Sequence, residues 1–126
     1  MVLVDTSVWI RSLANRAPYK AELDRLLALD EVSVHELVYG ELLIGDMGGR
    51  KQFLSNYDRL SRTNMVPHED VVAFVRHGAL HGRGVGWIDI HLLAVAVVEG
   101  LQIWTADQSF ADMAAELGVA YEVAGL

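Results

Sequence analysis

Short, continuous apolar runs alternate along this chain with longer stretches in which apolar residues recur every three or four positions. Val2-Leu3-Val4 is the first such run and ends at an acid, Asp5. An uninterrupted apolar run of this kind suits a strand buried on both faces, as in a parallel sheet. Thr6 or Ser7 can then cap a helix predicted over residues 8–14. Pro18 opens a second helix, whose apolar side is Leu23, Leu26, Leu27 and Leu29 and which ends at Asp30. Val32-Ser33-Val34 is a second strand, followed by a helix over 35–44 with Leu37, Glu41 and Ile44 one turn apart. Gly45, Gly48 and Gly49 break the chain, and Phe53, Leu54, Tyr57 and Leu60 mark the next helix. Residues 64–67 read as a short strand ended by Pro67, and 69–81 as a helix with Val71, Val72, Phe74, Val75 and Leu80 on its apolar side. After the glycine-rich loop 82–86 comes a very apolar helix, 88–99, stopped by Gly100. A strand over 101–105, a helix over 110–117 closed by Gly118, and a last strand over 119–123 complete the series. Alternation of this kind predicts an α/β fold of three layers, α/β/α, around a central, mostly parallel sheet.

Bulk properties narrow this picture without changing it. The chain has 126 residues, the length of a single domain, and 52% of them are hydrophobic against 21% charged, so a folded core is expected without staples. The absence of cysteine removes disulfides and thiolate zinc sites and suits a reducing compartment. The N-terminus lacks the basic segment and cleavage site of a signal peptide. The longest apolar stretch, 88–98, is interrupted by Asp89 and His91 and is too short to span a bilayer. A cytoplasmic protein that does not enter membranes is the expectation. The formal charge of −7 is awkward for binding a polyanion, unless several acids are gathered at one site around a cation.

Of the 17 acidic residues, four interrupt apolar surroundings. Asp5 and Asp107 follow strands, Asp89 opens the most apolar helix, and Glu41 lies inside Leu37-Val38-Tyr39-Gly40-Glu41-Leu42-Leu43-Ile44. Each has an ordinary explanation as a cap, a first-turn acid or a solvent-facing residue. Together they point to a site. Acids that end parallel strands share one edge of the sheet, where ligands of open α/β sheets bind. Carboxylates ~4 Å apart repel by about 4 kcal/mol per pair at an effective dielectric of ~20, so such a cluster persists by taking up protons or a cation. Hard oxygen donors without cysteine select Mg²⁺ or Mn²⁺ over Zn²⁺, and an ion so held suits hydrolysis of a phosphate ester.

Four motifs in order then resemble one family. Val4-Asp5-Thr6-Ser7-Val8-Trp9-Ile10 resembles the opening of PIN-domain nucleases, and more closely of the VapC toxins of bacterial toxin–antitoxin pairs. Gly40-Glu41-Leu42 is similar to the segment of the second acid, Gly86-Trp87-Ile88-Asp89-Ile90-His91-Leu92-Leu93-Ala94 to the helix of the third, and Trp104-Thr105-Ala106-Asp107-Gln108-Ser109-Phe110 to the last strand with its threonine and fourth acid. The resemblance covers the chain from end to end. It implies a metal-dependent endoribonuclease that acts on RNA, forms homodimers and is inhibited by a small antitoxin whose tail enters the acidic site. It implies metal-holding roles for Asp5, Asp89 and Asp107, and for Glu41 the orientation of water or the holding of a second ion. Thr105 would hydrogen-bond Asp5 or metal waters, and Thr6 and Ser7 would support the loop.

Other residues are discounted. His91 lies two positions after Asp89, about 200° around a helix, and is expected to pack or to touch a partner subunit. His77 and His81 lack the intervening Glu of a zinc-protease motif, and the loop 82–86 lacks the Gly-Lys-Ser/Thr of a P-loop. Arg11 and Arg83 are the basic residues favoured for an RNA-backbone rim. Trp9, Trp87 and Trp104 are expected in a core or interface rather than as stacking platforms. Two alternatives use the same residues: a PIN-like domain that only binds RNA or a partner, and another metal-dependent phosphohydrolase of α/β fold. The second is disfavoured because Ser7 stands where a haloacid-type phosphatase needs a second Asp, and because the two lysines, Lys20 and Lys51, come too early for a receiver domain.

Overall fold

The computed structural model describes residues 1–125. Its elements, in chain order, are β1 (Val2–Val4), α1 (Thr6–Leu13), α2 (Tyr19–Ala28), β2 (Val32–Val34), α3 (Glu36–Ile44), α4 (Lys51–Tyr57), β3 (Ser61–Arg62), α5 (His68–Gly78), α6 (Trp87–Glu99), β4 (Gln102–Trp104) and α7 (Gln108–Glu116). The strands form one parallel sheet in the order β3-β2-β1-β4. Leu3, at the centre, pairs with Ser33 on one side and Ile103 on the other and is fully buried. The residues of β1, β2 and β4 are mostly apolar, Ser33 and Gln102 excepted, because helices cover both faces of the sheet.

The connections explain where a site can lie. From β1 the chain moves through β2 to β3 in one direction across the sheet, then crosses back to β4 on the other side of β1. Right-handed crossovers running in opposite directions put their helices on opposite faces, which gives the three-layer α/β/α arrangement. The reversal falls between the neighbouring strands β1 and β4. A crevice therefore opens at their carboxyl ends.

Two predicted strands differ from the structure. The edge strand is Ser61–Arg62 and not 64–67: Thr63 N donates to Val34 O at 2.9 Å, and the chain then leaves the sheet toward Pro67, the residue before α5. Both strand residues are exposed, so no apolar run marks them. The last predicted strand, 119–123, shrinks to one parallel bridge, Ile103 to Ala120. Beyond it the chain is held by side chains instead. Glu22 accepts from Arg25 Nε at 2.7 Å and from the Tyr121 hydroxyl, and the Tyr121 ring packs on Trp104.

Helix α5 ends at Gly78 rather than at 81, because Ala79 adopts a left-handed conformation with φ 51°. Leu80 N then donates to Val75 O at 3.0 Å and its side chain is buried, which is a Schellman-type stop. Gly100 ends α6 in the same way, with Leu101 N bonded to Ala96 O. Alanine has a steric penalty in this conformation that glycine lacks. Ala79→Gly is therefore expected to stabilise the fold by ~0.5–1 kcal/mol, read as a higher melting temperature in a two-state thermal unfolding experiment.

Candidate active site

Asp5 is the residue after β1 and the one before α1, so the strand's end and the helix's start fix its position together. It is 5% exposed. Two hydroxyls donate to the same carboxylate oxygen, Oδ2: Ser7 Oγ at 2.7 Å and Thr105 Oγ1 at 2.8 Å. Ser7 Oγ in turn accepts from Ala106 N at 3.0 Å, and Thr105 Oγ1 from Asp107 N at 3.1 Å. The ends of β1 and β4 are thereby stitched together by residues about 100 positions apart in the chain.

The other acids are held in the same manner. Glu41, on α3, accepts from Thr6 Oγ1 at 2.6 Å through Oε1. Asp107 caps α7, with Oδ1 accepting from Phe110 N at 3.1 Å. Asp89 is the third residue of α6, and its carboxylate lies close to the backbone of Gly86, the residue before that helix. A common rule emerges: Asp5, Glu41 and Asp107 each give one oxygen to an anchoring donor. Each keeps a second oxygen for which the described residues offer no hydrogen bond.

The crowding of charge is felt most by Asp89. Its carboxyl is pushed up to about 7, first by burial and then by the negative charges of Asp5, Glu41 and Asp107. Near neutral pH it is therefore poised between proton and cation. Among the described residues, no three acidic or histidine side chains close into a ready-made metal cage. Mg²⁺ does not require one, because it keeps several waters and is held by one or two carboxylates. An all-oxygen donor set with spare oxygens, whose charges are felt at Asp89, fits such an ion.

The arginines expected at a rim are engaged within the chain. Arg11 Nη1 donates to Ser7 O at 3.1 Å and its guanidinium lies 5.6 Å from the Tyr19 ring centre. Arg83 pairs with Glu116 at 2.7 Å, which links the glycine-rich loop to α7. His91 is buried, as expected of a packing residue. Trp9 and Trp104 lie in the core, 3% and 4% exposed, but Trp87 does not: it is 45% exposed. His35, given no role in the sequence reading, caps α3 through Nδ1, which accepts from Leu37 N at 3.0 Å. Its burial, with the nearby His91, holds the imidazole down to about 4, so it is neutral. An apolar groove of about 430 Å³ lies away from the acids, between α5 and α6, and includes Met65, Phe74, Val97 and Val98.

A parallel sheet with its reversal at β1 and β4, and acids anchored at that point, is the arrangement of a PIN domain. The sequence profile of the PIN domain matches residues 2–116, and the chain belongs to that family. It is 42% identical over 121 residues, 95% of each chain, to Ribonuclease VapC32 of Mycobacterium tuberculosis, in both the CDC 1551 / Oshkosh and H37Rv strains. Among solved structures, it is similar to FitAcB from Neisseria gonorrhoeae, with a TM-score of 0.62 and 25% identity over 95% of each chain. PAE2754 from Pyrobaculum aerophilum shares the fold, with a TM-score of 0.57 and 16% identity over 93% of this chain and 94% of that one.

Proposed function

We propose that this chain is a divalent-metal-dependent endoribonuclease of VapC type, the toxin of a toxin–antitoxin pair. One observation carries the reading: four carboxylates converge at the sheet's reversal point, and three of them raise the proton affinity of the fourth. The 42% identity to a relative named a ribonuclease supports RNA as substrate.

Asp5, Asp89 and Asp107 would hold Mg²⁺ or Mn²⁺, which supplies a water of lowered pKa and offsets charge developing on the phosphoryl oxygens. The chain's own contribution is positional. Ser7 and Thr105 keep the free oxygen of Asp5 turned to the site by occupying the other. Glu41, steadied by Thr6, offers Oε2 to orient the attacking water and accept its proton. The water oxygen bonds to phosphorus as the bond to the 3′ oxygen breaks, and that oxygen takes a proton. The products are a 5′-phosphate and a 3′-hydroxyl.

Exposed apolar residues support protein partners. Ile44 and Met47, at the end of α3 and just beyond it, are 89% and 101% exposed, and the α5–α6 groove is a second such surface. An antitoxin and a second copy of the chain, as a homodimer, are the proposed occupants of such surfaces.

The test is cleavage of cellular RNA by the purified, partner-free chain with Mg²⁺ or with EDTA. Cutting that requires the ion and leaves 5′-phosphates is expected. A 2′,3′-cyclic phosphate would refute the water mechanism, and a well-folded chain that cuts none of several RNA pools would favour the binding-only alternative. Thr105→Val removes a donor to Asp5 while keeping shape, and is expected to lower the rate ~10–100-fold with little change in melting temperature. Thr105→Ser, which keeps the hydroxyl, is expected to retain most of it.

A further inference from the structure

Four side-chain polar atoms are buried without a hydrogen-bond partner among the described residues, and three of them are His35 Nε2, Thr63 Oγ1 and His91 Nδ1. These residues are 1%, 9% and 6% exposed. The fourth, Trp9 Nε1, lies apart, with its ring against Phe53 and Tyr57 of α4. A buried donor or acceptor left unpaired is costly, so folded proteins pair such atoms with protein groups or with ordered water. Three such atoms at one place call for a common partner.

The sheet's register brings the first two together. Val34 and Arg62 are partners across β2 and β3, and Thr63 N donates to Val34 O at 2.9 Å. The next residues, His35 and Thr63, therefore lie side by side. His35 is still extended, at φ −127° and ψ 140°, so the alternation of side chains along a strand reaches it. Arg62 turns to Asp58, the C-cap of α4. His35 and Thr63 consequently turn to the opposite face, the one that α5 and α6 cover. There His91 is buried on α6. After burial, His91 is the group that most lowers the His35 imidazole, so the two rings are neighbours.

The protons define what can join them. His35 Nδ1 accepts from Leu37 N at 3.0 Å, so the ring proton sits on Nε2. Nε2 is then a donor and cannot bind a metal ion. A buried anion would lack a charge partner here, because His35 is neutral. Thr63 Oγ1 both donates and accepts, and His91 Nδ1 does one or the other according to its tautomer. A water molecule, which donates twice and accepts twice, satisfies all three.

We propose that one buried water bridges His35 Nε2, Thr63 Oγ1 and His91 Nδ1, and that it sets α6 against α3 at the carboxyl edge of the sheet. Its consequence for chemistry rests on the ribonuclease reading. His35 caps α3, which carries Glu41, and His91 is two residues from Asp89 on α6. The water thus joins the supports of two of the four acids. His35, Thr63 and His91 are positioning residues; none of them touches the reacting atoms.

The experiment records the ring N–H proton of His35 by nuclear magnetic resonance in the full, isotope-labelled chain near neutral pH. That proton is expected to resist exchange and to show a cross-peak, of Overhauser sign, to a water that stays bound longer than the molecule tumbles. Thr63→Val keeps the shape and removes the hydroxyl; it is expected to abolish the cross-peak and speed exchange of the His35 proton. Thr63→Ser is expected to restore both. In the cleaving chain, Thr63→Val is expected to lower kcat about fivefold, the scale of one net hydrogen bond, with KM little changed, and Thr63→Ser to recover it. A His35 proton in contact only with Thr63 or His91, and with no water, would overturn the inference. So would a cross-peak that Thr63→Val leaves unchanged. A bound water with an unaltered kcat in Thr63→Val refutes the positioning role alone. A bound water in a chain that never cleaves refutes the nuclease and leaves the water site standing.

Discussion

Replacing Asp5 by Asn is expected to lower RNA cleavage on the order of 100-fold or more while leaving the melting temperature unchanged or raised. The argument lies in the two oxygens. Oδ2 accepts from Ser7 and Thr105, and the carbonyl oxygen of an asparagine can accept both bonds, so the seam between β1 and β4 survives. The other oxygen becomes an NH₂ group, a donor where the site needs an acceptor for a cation. Removing the Asp5 charge also relieves one of the three repulsions on Asp89. Loss of activity and loss of stability therefore separate, and a rate assay beside a thermal melt decides the case. Retained cleavage would remove Asp5 from the site. Lost cleavage with a collapsed melt would make its role structural only.

The second large effect concerns pH and involves two groups that oppose each other. The folded Asp89 carboxyl is raised from 3.8 to about 7, so between those values the folded chain holds a proton that the unfolded chain has released. That contribution to stability is present at low pH and is lost as pH rises toward 7. Buried His35, 1% exposed, is lowered from 6.5 to about 4. Between about 4 and 6.5 the unfolded chain takes up the proton, so that contribution is present above 6.5 and is lost as pH falls. Each is worth on the order of 3 kcal/mol, and over the shared window they nearly cancel. The wild-type chain is expected to have a flat stability profile from pH 4 to 6.5, and Asp89→Asn a steep fall on acidification. His35→Asn, which keeps a capping side chain, is expected to gain stability on acidification instead. Added Mg²⁺ is expected to stabilise the wild type more at pH 8 than at pH 5. Denaturant titrations of the three chains across this range check the scheme, and parallel profiles would refute it.

Legibility in the sequence followed burial. β1, β2 and β4 were readable because strands covered on both faces are mostly apolar, with only Ser33 and Gln102 departing from it. β3 was not, because an exposed Ser-Arg pair has no apolar signature, and the nearby run 64–67 resembles a strand only because it lines the apolar α5–α6 groove. The end of α5 at Ala79 was hidden because alanine gives no stop signal. The four acids stood out as charges inside apolar segments. Their anchoring did not, since Thr6 to Glu41 and Thr105 to Asp5 are contacts between distant positions that only the assembled sheet creates. Trp87 was expected in a core or an interface; at 45% exposure it is not in the core of the single chain, which leaves the interface.

The two margins of the sheet bear on how this chain behaves in a crowded solution. An unpaired strand edge is a template on which other chains can polymerise. Here one margin is only two residues long, exposed and carries Arg62, and the other is closed over by the stretch around Ala120, which Tyr121 pins to α2. A chain cut short before residue 119 would uncover the β4 margin and Trp104 together. Its failure in use would then be aggregation, with the acidic cluster itself untouched.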